Sequence, residues 1–133
     1  MGETKKIILC VDDEKIVLDS LRSQLSRHFG KQFEYEFAES GMEALEILED
    51  FQSENVDILV IVSDWLMPNM KGDELLLEVH KRFPNIRKVM LTGQADKDAL
   101  TNVSNQIEDL KVLSKPWKEE DIIHAIKQGF KKA

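Results

Sequence analysis

The sequence predicts an α/β fold in which a five-stranded parallel sheet is covered by helices on both faces. Three observations predict this class: five short apolar runs alternate with helical apolar patterns, the connections are short, and the third run contains no polar residue. A strand without polar residues is typical of a parallel sheet, in which both faces are buried. We therefore expect a three-layer sandwich of five strand-then-helix units joined by right-handed crossovers.

The first two units differ in how deeply their strands are buried. Residues 5–11 begin with two lysines and continue as an apolar run over residues 7–11, and the helical apolar spacing that follows ends at Gly30. In residues 33–37 aromatic residues alternate with glutamates, which predicts a half-exposed edge strand. A helical stripe over residues 44–51 completes the second unit.

The third unit contains the best candidate for the central strand, residues 58–62, because no polar residue interrupts it. Apolar residues at helical spacing follow over residues 75–83 and stop before Pro84, which cannot continue a helix. This unit therefore predicts a strand at the centre of the sheet and a helix that ends at the proline.

The last two units repeat the pattern with strands over residues 86–91 and 110–113. The fourth predicted helix, over residues 95–107, is rich in Thr, Asn, Ser and Gln, which are poor helix formers, so we expect it to be the least stable. The fifth predicted helix follows Pro116 and covers residues 122–130. Five units fit the flavodoxin-like doubly wound order 2-1-3-4-5, whose switch point lies between the first and third strands.

Length, composition and charge limit the classes of function. The chain has 133 residues, of which 42% are hydrophobic, so we expect one compact domain over residues 1–133. With 25 acidic and 18 basic residues the net charge is −7, which argues against direct nucleic-acid binding because that requires a basic patch. Cys10 lies alone inside an apolar run, and no run is long enough to span a bilayer. We expect a soluble protein without membrane contact in the reducing cytoplasm.

Polar residues stand where several of the predicted strands end, and Asp12, Asp13, Asp64, Thr92 and Lys115 form this set. Because the carboxyl ends of parallel strands meet at one edge of a sheet, these residues are predicted to converge. Three carboxylates, a hydroxyl and an ammonium are what a phosphoryl-transfer centre dependent on Mg²⁺ or Mn²⁺ requires.

The carboxylates are the predicted metal ligands. Asp13 and Asp64 would bind the ion directly and Asp12 through water, since Mg²⁺ usually takes one or two carboxylates. The alternative is structural: Asp12 and Asp13 would cap the first helix and Asp64 would begin a turn before Pro68. Asp57 precedes the third predicted strand, which places it at the opposite edge of the sheet.

Four stretches together resemble a known family, the response-regulator receiver domain of two-component signal transduction in the CheY-like superfamily. They are Val11 to Glu14, Ser63 to Leu75, Leu91 to Gly93 and Ser114 to Trp117, and the resemblance covers essentially the whole chain.

The resemblance implies a role for each site residue. Asp64 is the phosphoacceptor, the main-chain carbonyl of Leu66 is a further metal ligand, Thr92 is the switch hydroxyl and Lys115 pairs with the phosphoryl group. It also implies a cis peptide bond between Lys115 and Pro116. Gly93 has no side chain to block an incoming phosphoryl group.

The resemblance implies partners as well. A sensor histidine kinase or a phosphotransfer protein would donate the phosphoryl group, and a downstream effector domain or protein would receive the signal. The output face would be the fourth helix, fifth strand and fifth helix, through which the chain could also dimerise. The chain would catalyse only its own phosphorylation and dephosphorylation, so it is not expected to be a conventional enzyme.

Two details concern the lifetime and the output of the phosphorylated state. Leu66 and Gln94 flank the path of the hydrolytic water in this family. The apolar Leu66 cannot orient that water, so Gln94 is predicted to control the lifetime, and an unchanged hydrolysis rate in Gln94→Ala would contradict this. Val112 stands where the family often has an aromatic switch residue, while Trp117 either contacts a partner or fills a gap in the core.

Other functions fit the residues less well. A haloacid-dehalogenase-type phosphatase needs a second Asp two residues after its nucleophile, where this chain has Leu66. A flavin-binding electron carrier shares the sheet order, but residues 12–14 would repel the flavin phosphate. A phosphorylation-independent pseudo-receiver, a pure protein-interaction module, is the remaining alternative.

The histidines His28, His80 and His124 lie on three different predicted helices without the spacing of metal ligands.

Overall fold

The computed structural model describes residues 5–52, 56–93, 103, 105–107 and 110–130, with side chains described as far as residue 128. Its five strands are β1 (Lys5–Val11), β2 (Glu34–Ala38), β3 (Val56–Asp64), β4 (Arg87–Thr92) and β5 (Lys111–Ser114). They form one parallel sheet in the order β2-β1-β3-β4-β5. The predicted flavodoxin-like order 2-1-3-4-5 is confirmed.

Helices cover both faces of this sheet. They are α1 (Lys15–Phe29), α2 (Gly41–Gln52), α3 (Gly72–Arg82) and a C-terminal helix (Glu119–Phe130), and a short 3₁₀ turn (Gly30–Gln32) follows α1. Within the described part of the chain, no helix has the length and apolar character needed to cross a membrane.

Only part of the fourth predicted helix falls within the described residues. Val103 and Ile107 are buried, and the Ile107 N–H donates a hydrogen bond to the Val103 carbonyl at 2.9 Å, which is a helical contact. Ala95 and Ala99 lie outside the described residues, as does Gln94. The predicted weakness of this helix therefore remains a prediction.

Local signals in the sequence account for the helix ends. Gly30 ends α1 with a positive φ of 59°, a conformation that glycine adopts without steric cost, and its N–H donates to the Ser26 carbonyl. Ser40 precedes α2, and its Oγ accepts a hydrogen bond from the Glu43 N–H at 3.1 Å. These contacts fix where the two helices meet the strands that flank them.

Two apolar cores lie on opposite faces of the sheet because successive strand residues point to opposite sides. One core packs beneath α2 and α3 and includes Leu9, Ile61 and Met90. The other packs beneath α1 and the C-terminal helix and includes Cys10 and Val62. Cys10 is fully buried, as its place inside an apolar run indicates.

An irregularity in β3 determines which face its last residues occupy. The register with β1 pairs Ile7 with Ile58 and then Ile8 with Val60, so Leu59 is an extra residue, a β-bulge. Ile58 packs against the α2–α3 core, whereas Leu59 and Val60 both pack on the opposite core. The shift of one residue directs Val60 and Val62 to the face of the sheet that α1 covers. The side chain at the end of β3 points to the same face.

The strand β3 is longer than its apolar run predicts. It begins at Val56 and ends at Asp64, so Asp57 lies inside the strand rather than before it. The pairing with β1 continues through polar residues, and Lys6 stands opposite Asp57. Asp57 nevertheless lies at the end of β3 away from Asp64, as predicted.

Candidate functional site

Asp12 and Asp64 lie at the carboxyl ends of two neighbouring strands, β1 and β3. Both continue the strand alternation from Cys10 and Val62, which pair in the sheet, so their side chains point to the same face. Asp12 is fully buried and Asp64 is 5% exposed. The sheet also fixes the backbone here, since the Asp12 N–H donates to the Ala38 carbonyl at 3.1 Å.

Asp13 completes an acidic cluster, which we define as Asp12, Asp13 and Asp64. One carboxylate oxygen from each residue lies within 4.8 Å of the others, and Asp13 is exposed while the other two are buried. Among the described residues no other group of three His, Cys, Asp or Glu side chains has such geometry. The three histidines of the sequence therefore form no second cluster of this kind.

Asp12 fulfils only part of the structural role that is the alternative to metal binding, namely capping of α1. Its Oδ1 accepts a hydrogen bond from the Glu14 N–H at 2.8 Å, which forms the turn that leads into α1. The residue that caps α1 is Glu14, and no side chain there makes a capping hydrogen bond. The second oxygen of Asp12 remains directed into the cluster.

Lys115 contacts two members of the acidic cluster. Its Nζ lies 2.7 Å from Asp64 Oδ1 and 3.1 Å from Asp12 Oδ2, and its side chain is only 20% exposed. The Lys115 N–H donates to the Thr92 carbonyl at 2.8 Å, and the peptide bond to Pro116 is cis, as the resemblance implies. Lys115 is thus an internal counter-ion rather than a solvated surface lysine.

Thr92 ends β4, one residue after Leu91, which pairs with Asp64. Its hydroxyl is buried and has no hydrogen-bond partner among the described residues. An unsatisfied buried hydroxyl costs roughly 1–3 kcal/mol. A Cβ added at Gly93 would meet no described atom within 4 Å, which leaves the approach at the end of β4 open.

The electrostatics of the site follow from burial and from the close charges. Burial raises the pKa of both Asp12 and Asp64 above the ordinary value of 3.8, and the neighbouring carboxylates add to this. The Lys115 ammonium opposes the rise. Desolvation alone would lower the pKa of Lys115, but its bonds to Asp64 and Asp12 outweigh this and raise it. The site therefore holds more negative charge than one lysine offsets.

The donor set fits a divalent cation. Three carboxylates and one ammonium leave a formal charge of −2 within a few ångströms. Carboxylate oxygens are the ligands that Mg²⁺ and Mn²⁺ prefer, and a dication would balance this charge.

Gly72 is a site residue whose role sequence reasoning missed. Any Cβ at this position would overlap the main-chain carbonyl oxygen of Asp64, and the Gly72 N–H donates to the Trp65 carbonyl at 2.8 Å. Helix α3 thus begins directly against the end of β3. The available signal was a glycine immediately before the acidic first turn of a predicted helix, inside one of the four family-like stretches.

The two tryptophans both pack inside the protein. Trp65 is buried in the core beneath α2 and α3. Trp117 packs against the opposite core, and its Nε1 donates a hydrogen bond to Gln24 Oε1 at 2.7 Å. Of the two interpretations of Trp117, the structure supports filling of the core. Leu66, in contrast, is 64% exposed beside the acidic cluster.

Comparisons with known proteins agree with this geometry. The family model for the response regulator receiver domain matches residues 8–127. Chemotaxis protein CheY1 of Helicobacter pylori is 36% identical over 92 residues, which are 68% of this chain and 69% of that protein. Sensor kinase CckA of Brucella abortus is 31% identical over 126 residues, 95% of this chain but 12% of the kinase. The hydrogenase transcriptional regulatory protein HoxA of Cupriavidus necator is 28% identical, with 97% of this chain matching 25% of that protein.

Solved structures show the same fold. The signal receiver domain of an HD domain-containing protein from Pseudomonas fluorescens has a TM-score of 0.82 at 28% identity, with 95% of this chain and 94% of that chain covered. A CheY-like response regulator receiver domain protein from Methanospirillum hungatei has a TM-score of 0.78 at 31% identity, with 93% and 92% covered. The curated relatives CckA and HoxA are longer, and this chain spans a quarter of their length or less. With its sheet order, its acidic cluster and these matches, the chain belongs to the response regulator receiver domain family of two-component signalling.

Proposed function

We propose that this domain is a phosphoacceptor dependent on Mg²⁺ or Mn²⁺, which takes a phosphoryl group from a histidine kinase or phosphotransfer protein onto Asp64. The single observation that carries the proposal is the setting of the Asp64 carboxylate. One of its oxygens contacts the Lys115 ammonium at 2.7 Å while the carboxylates of Asp12 and Asp13 lie beside it. A nucleophile, a cation for the phosphoryl oxygens and a set of metal ligands therefore share one site.

The chemistry assigned to Asp64 is nucleophilic attack at phosphorus. Its carboxylate oxygen forms the new bond to phosphorus, and the donor's leaving group departs with the electron pair of the bond that breaks. Lys115 neutralises charge on the transferring group. Asp13, Asp64 and the Leu66 carbonyl would hold the ion directly and Asp12 through water, and the bound ion would supply further neutralisation of the phosphoryl oxygens. The domain then acts only on itself.

Thr92 is the proposed switch residue because its buried hydroxyl is available to an acyl phosphate on Asp64. One hydrogen bond to a charged group contributes roughly 1.5–3 kcal/mol, whereas moving a two-state equilibrium from mostly off to mostly on requires about 5.5 kcal/mol. Lys115 and the segment after β4 must therefore contribute. We assign the output to the fourth predicted helix, β5 and the C-terminal helix, where the partly exposed Val112 replaces the usual aromatic residue.

The surface around the acidic cluster suits a protein donor. Ile16, on the first turn of α1, and Leu66, two residues after Asp64, are both largely exposed apolar side chains. Exposed apolar side chains close in sequence to the site residues offer apolar contact area to a protein partner. We propose that the phosphoryl donor covers both when it presents its phosphohistidine to Asp64.

The proposal is tested by phosphorylation with a small acyl phosphate or phosphoramidate in the presence of Mg²⁺. The modified residue is located by mass spectrometry after trapping of the acyl phosphate. We expect one phosphoryl group on Asp64, none when a chelator removes the metal, and none in Asp64→Asn. Asp57→Asn is the matched control, because Asp57 lies in the same strand at its other end, and it should be phosphorylated as the wild type is.

Two results would favour the alternatives. A wild-type domain that neither accepts a phosphoryl group nor responds to Mg²⁺ with beryllofluoride, a phosphoryl mimic, would favour the pseudo-receiver. Multiple turnover of an unrelated phosphate ester would favour the phosphatase. The position of the exposed Leu66, where that phosphatase class needs an acid and base, argues against the second result.

A further inference from the structure

Trp117 connects the segment that carries Lys115 to helix α1. The indole lies two residues after Lys115 and packs against the core formed by α1 and the C-terminal helix. Its Nε1 donates a hydrogen bond to Gln24 Oε1 at 2.7 Å, and this contact is partly buried. A side chain in the middle of α1 therefore holds the chain that presents the site lysine.

This connection adds to the hydrogen bond from the Lys115 N–H to the Thr92 carbonyl, which fixes the lysine backbone from the side of β4. β5 is only four residues long and lies at the edge of the sheet, where it pairs with β4 alone. The Lys115 ammonium must nevertheless stay within contact distance of both Asp12 and Asp64. A short edge strand has few contacts of its own, so a hydrogen bond immediately after it adds to the contacts that keep the ammonium in place.

A second contact between the same elements is weaker. Arg27, one turn after Gln24 on α1, forms an ion pair with Glu119, the first residue of the C-terminal helix, with a distance of 2.5 Å between Arg27 Nη2 and Glu119 Oε1. More than half of the Arg27 side chain is exposed. Exposed ion pairs contribute between nothing and about 1 kcal/mol and are screened by salt. The partly buried Trp117–Gln24 hydrogen bond is the better candidate for holding the segment.

We propose that Gln24 and Trp117 are positioning residues for phosphoryl transfer, which act by holding the Lys115 ammonium against Asp12 and Asp64. This inference rests on the function proposed above, and it adds two residues that touch neither phosphoryl group nor metal. It predicts that the hydrogen bond, and not only the packing of the indole, sets the rate of Asp64 phosphorylation.

The test compares variants that remove one partner each. Trp117→Phe keeps an aromatic ring but loses the donor, and Gln24→Leu keeps the size but loses the acceptor. Each should slow phosphorylation by a small-molecule donor by roughly two- to tenfold, the factor that corresponds to one hydrogen bond. The double variant should be no slower than either single variant, because both changes remove the same contact.

Controls separate positioning from general stability. Gln24→Glu retains an acceptor oxygen and should restore the rate, while Arg27→Gln breaks the neighbouring ion pair and should leave the rate unchanged. In a Lys115→Ala background, Trp117→Phe should have no further effect, since the residue through which it acts is gone. A slower rate in Trp117→Phe with a wild-type rate in Gln24→Leu would overturn the proposal and leave only a packing role.

A second readout does not depend on phosphorylation. The rate at which a small acylating reagent modifies Lys115 in the metal-free protein, followed by peptide mass spectrometry, reports how firmly the ammonium is held. We expect faster modification in Trp117→Phe and Gln24→Leu than in the wild type. If the wild type is not phosphorylated but the labelling difference is found, the proposed function fails and the positioning stands. If the wild type is phosphorylated normally and neither readout differs among the variants, the positioning role of Gln24 and Trp117 is refuted while the proposed function stands.

Discussion

Asp64 is a buried carboxylate whose surroundings oppose its charge in the absence of a cation. Burial raises its pKa, the nearby Asp13 carboxylate raises it further, and Lys115 compensates only in part. The same holds for Asp12, where burial is again the largest cause. The charged forms of Asp12 and Asp64 therefore lower the stability of the metal-free protein, which is a common cost of a preformed charged site.

The raised pKa of Asp64 makes the stability of the metal-free protein depend on pH in a defined direction. Because the pKa of Asp64 is higher in the folded than in the unfolded protein, the stability it contributes is complete below about 3.8 and is lost as the pH rises through the folded pKa. At pH 7 with a chelator, Asp64→Asn should therefore be more stable than the wild type. Urea unfolding measures the difference, which should shrink as the pH falls toward 4.

The exposed Asp57 provides the control for this prediction. Asp57→Asn removes a carboxylate from the same strand, and it should change the free energy of unfolding by no more than about 0.5 kcal/mol. A metal-free Asp64→Asn protein that is less stable than the wild type at neutral pH would show that the Lys115 ion pair outweighs burial and repulsion.

Thr92 provides a second prediction at the scale of one residue. Its hydroxyl is buried without a partner among the described residues, so Thr92→Val, which keeps the shape, should stabilise the unphosphorylated protein by about 1 kcal/mol. The same variant should still be phosphorylated on Asp64 but lose the conformational response, measured as amide chemical-shift changes on addition of beryllofluoride. A destabilised Thr92→Val protein would mean that the hydroxyl is already satisfied before phosphorylation.

At the scale of elements, the site depends on where strands end and helices begin. Helix α3 can start against the end of β3 only because Gly72 has no side chain to meet the Asp64 carbonyl. The bulge at Leu59 turns the last residues of β3 toward α1. Backbone approach and register, rather than side-chain contacts alone, therefore bring Asp64 to the acidic cluster.

The close approach at Gly72 is tested by two matched substitutions. Gly72→Ala should destabilise the protein by roughly 1–3 kcal/mol, because α3 or the end of β3 must move to admit the methyl group. Gly93→Ala places the same methyl group where no described atom lies within 4 Å, so its unfolding midpoint in urea should remain near that of the wild type. Equal midpoints for the two variants would contradict the packing described for α3.

Sequence patterns predicted the five strands, their order and the meeting of the polar strand ends, because apolar periodicity and parallel topology suffice for these. They could not predict the bulge, since residues 58–62 are all apolar and carry no alternation that would reveal a change of face. They also gave no sign that Lys88, inside the fourth apolar run, is almost fully buried with its Nζ donating to the Ile86 carbonyl at 2.6 Å. Both features depend on tertiary contacts.

At the scale of the whole molecule, the sheet order creates the site. β1 and β3 are neighbours although α1, β2 and α2 separate them in the chain. The strand order changes direction between these two strands, and this leaves a crevice outside their carboxyl ends. Asp12, Asp13 and Asp64 lie at that crevice, and β4 and β5 add Thr92 and Lys115 from the same side. We propose that these separate segments hold one divalent cation beside the nucleophile.

Anomalous diffraction from crystals of the protein grown with Mn²⁺ would locate this cation directly. We expect one ion at the acidic cluster, with a carboxylate oxygen of Asp13 and one of Asp64 each at about 2 Å from it. An ion bound elsewhere with the cluster empty, or an ion held by only one of these two aspartates, would show that β1 and β3 do not build the metal site together.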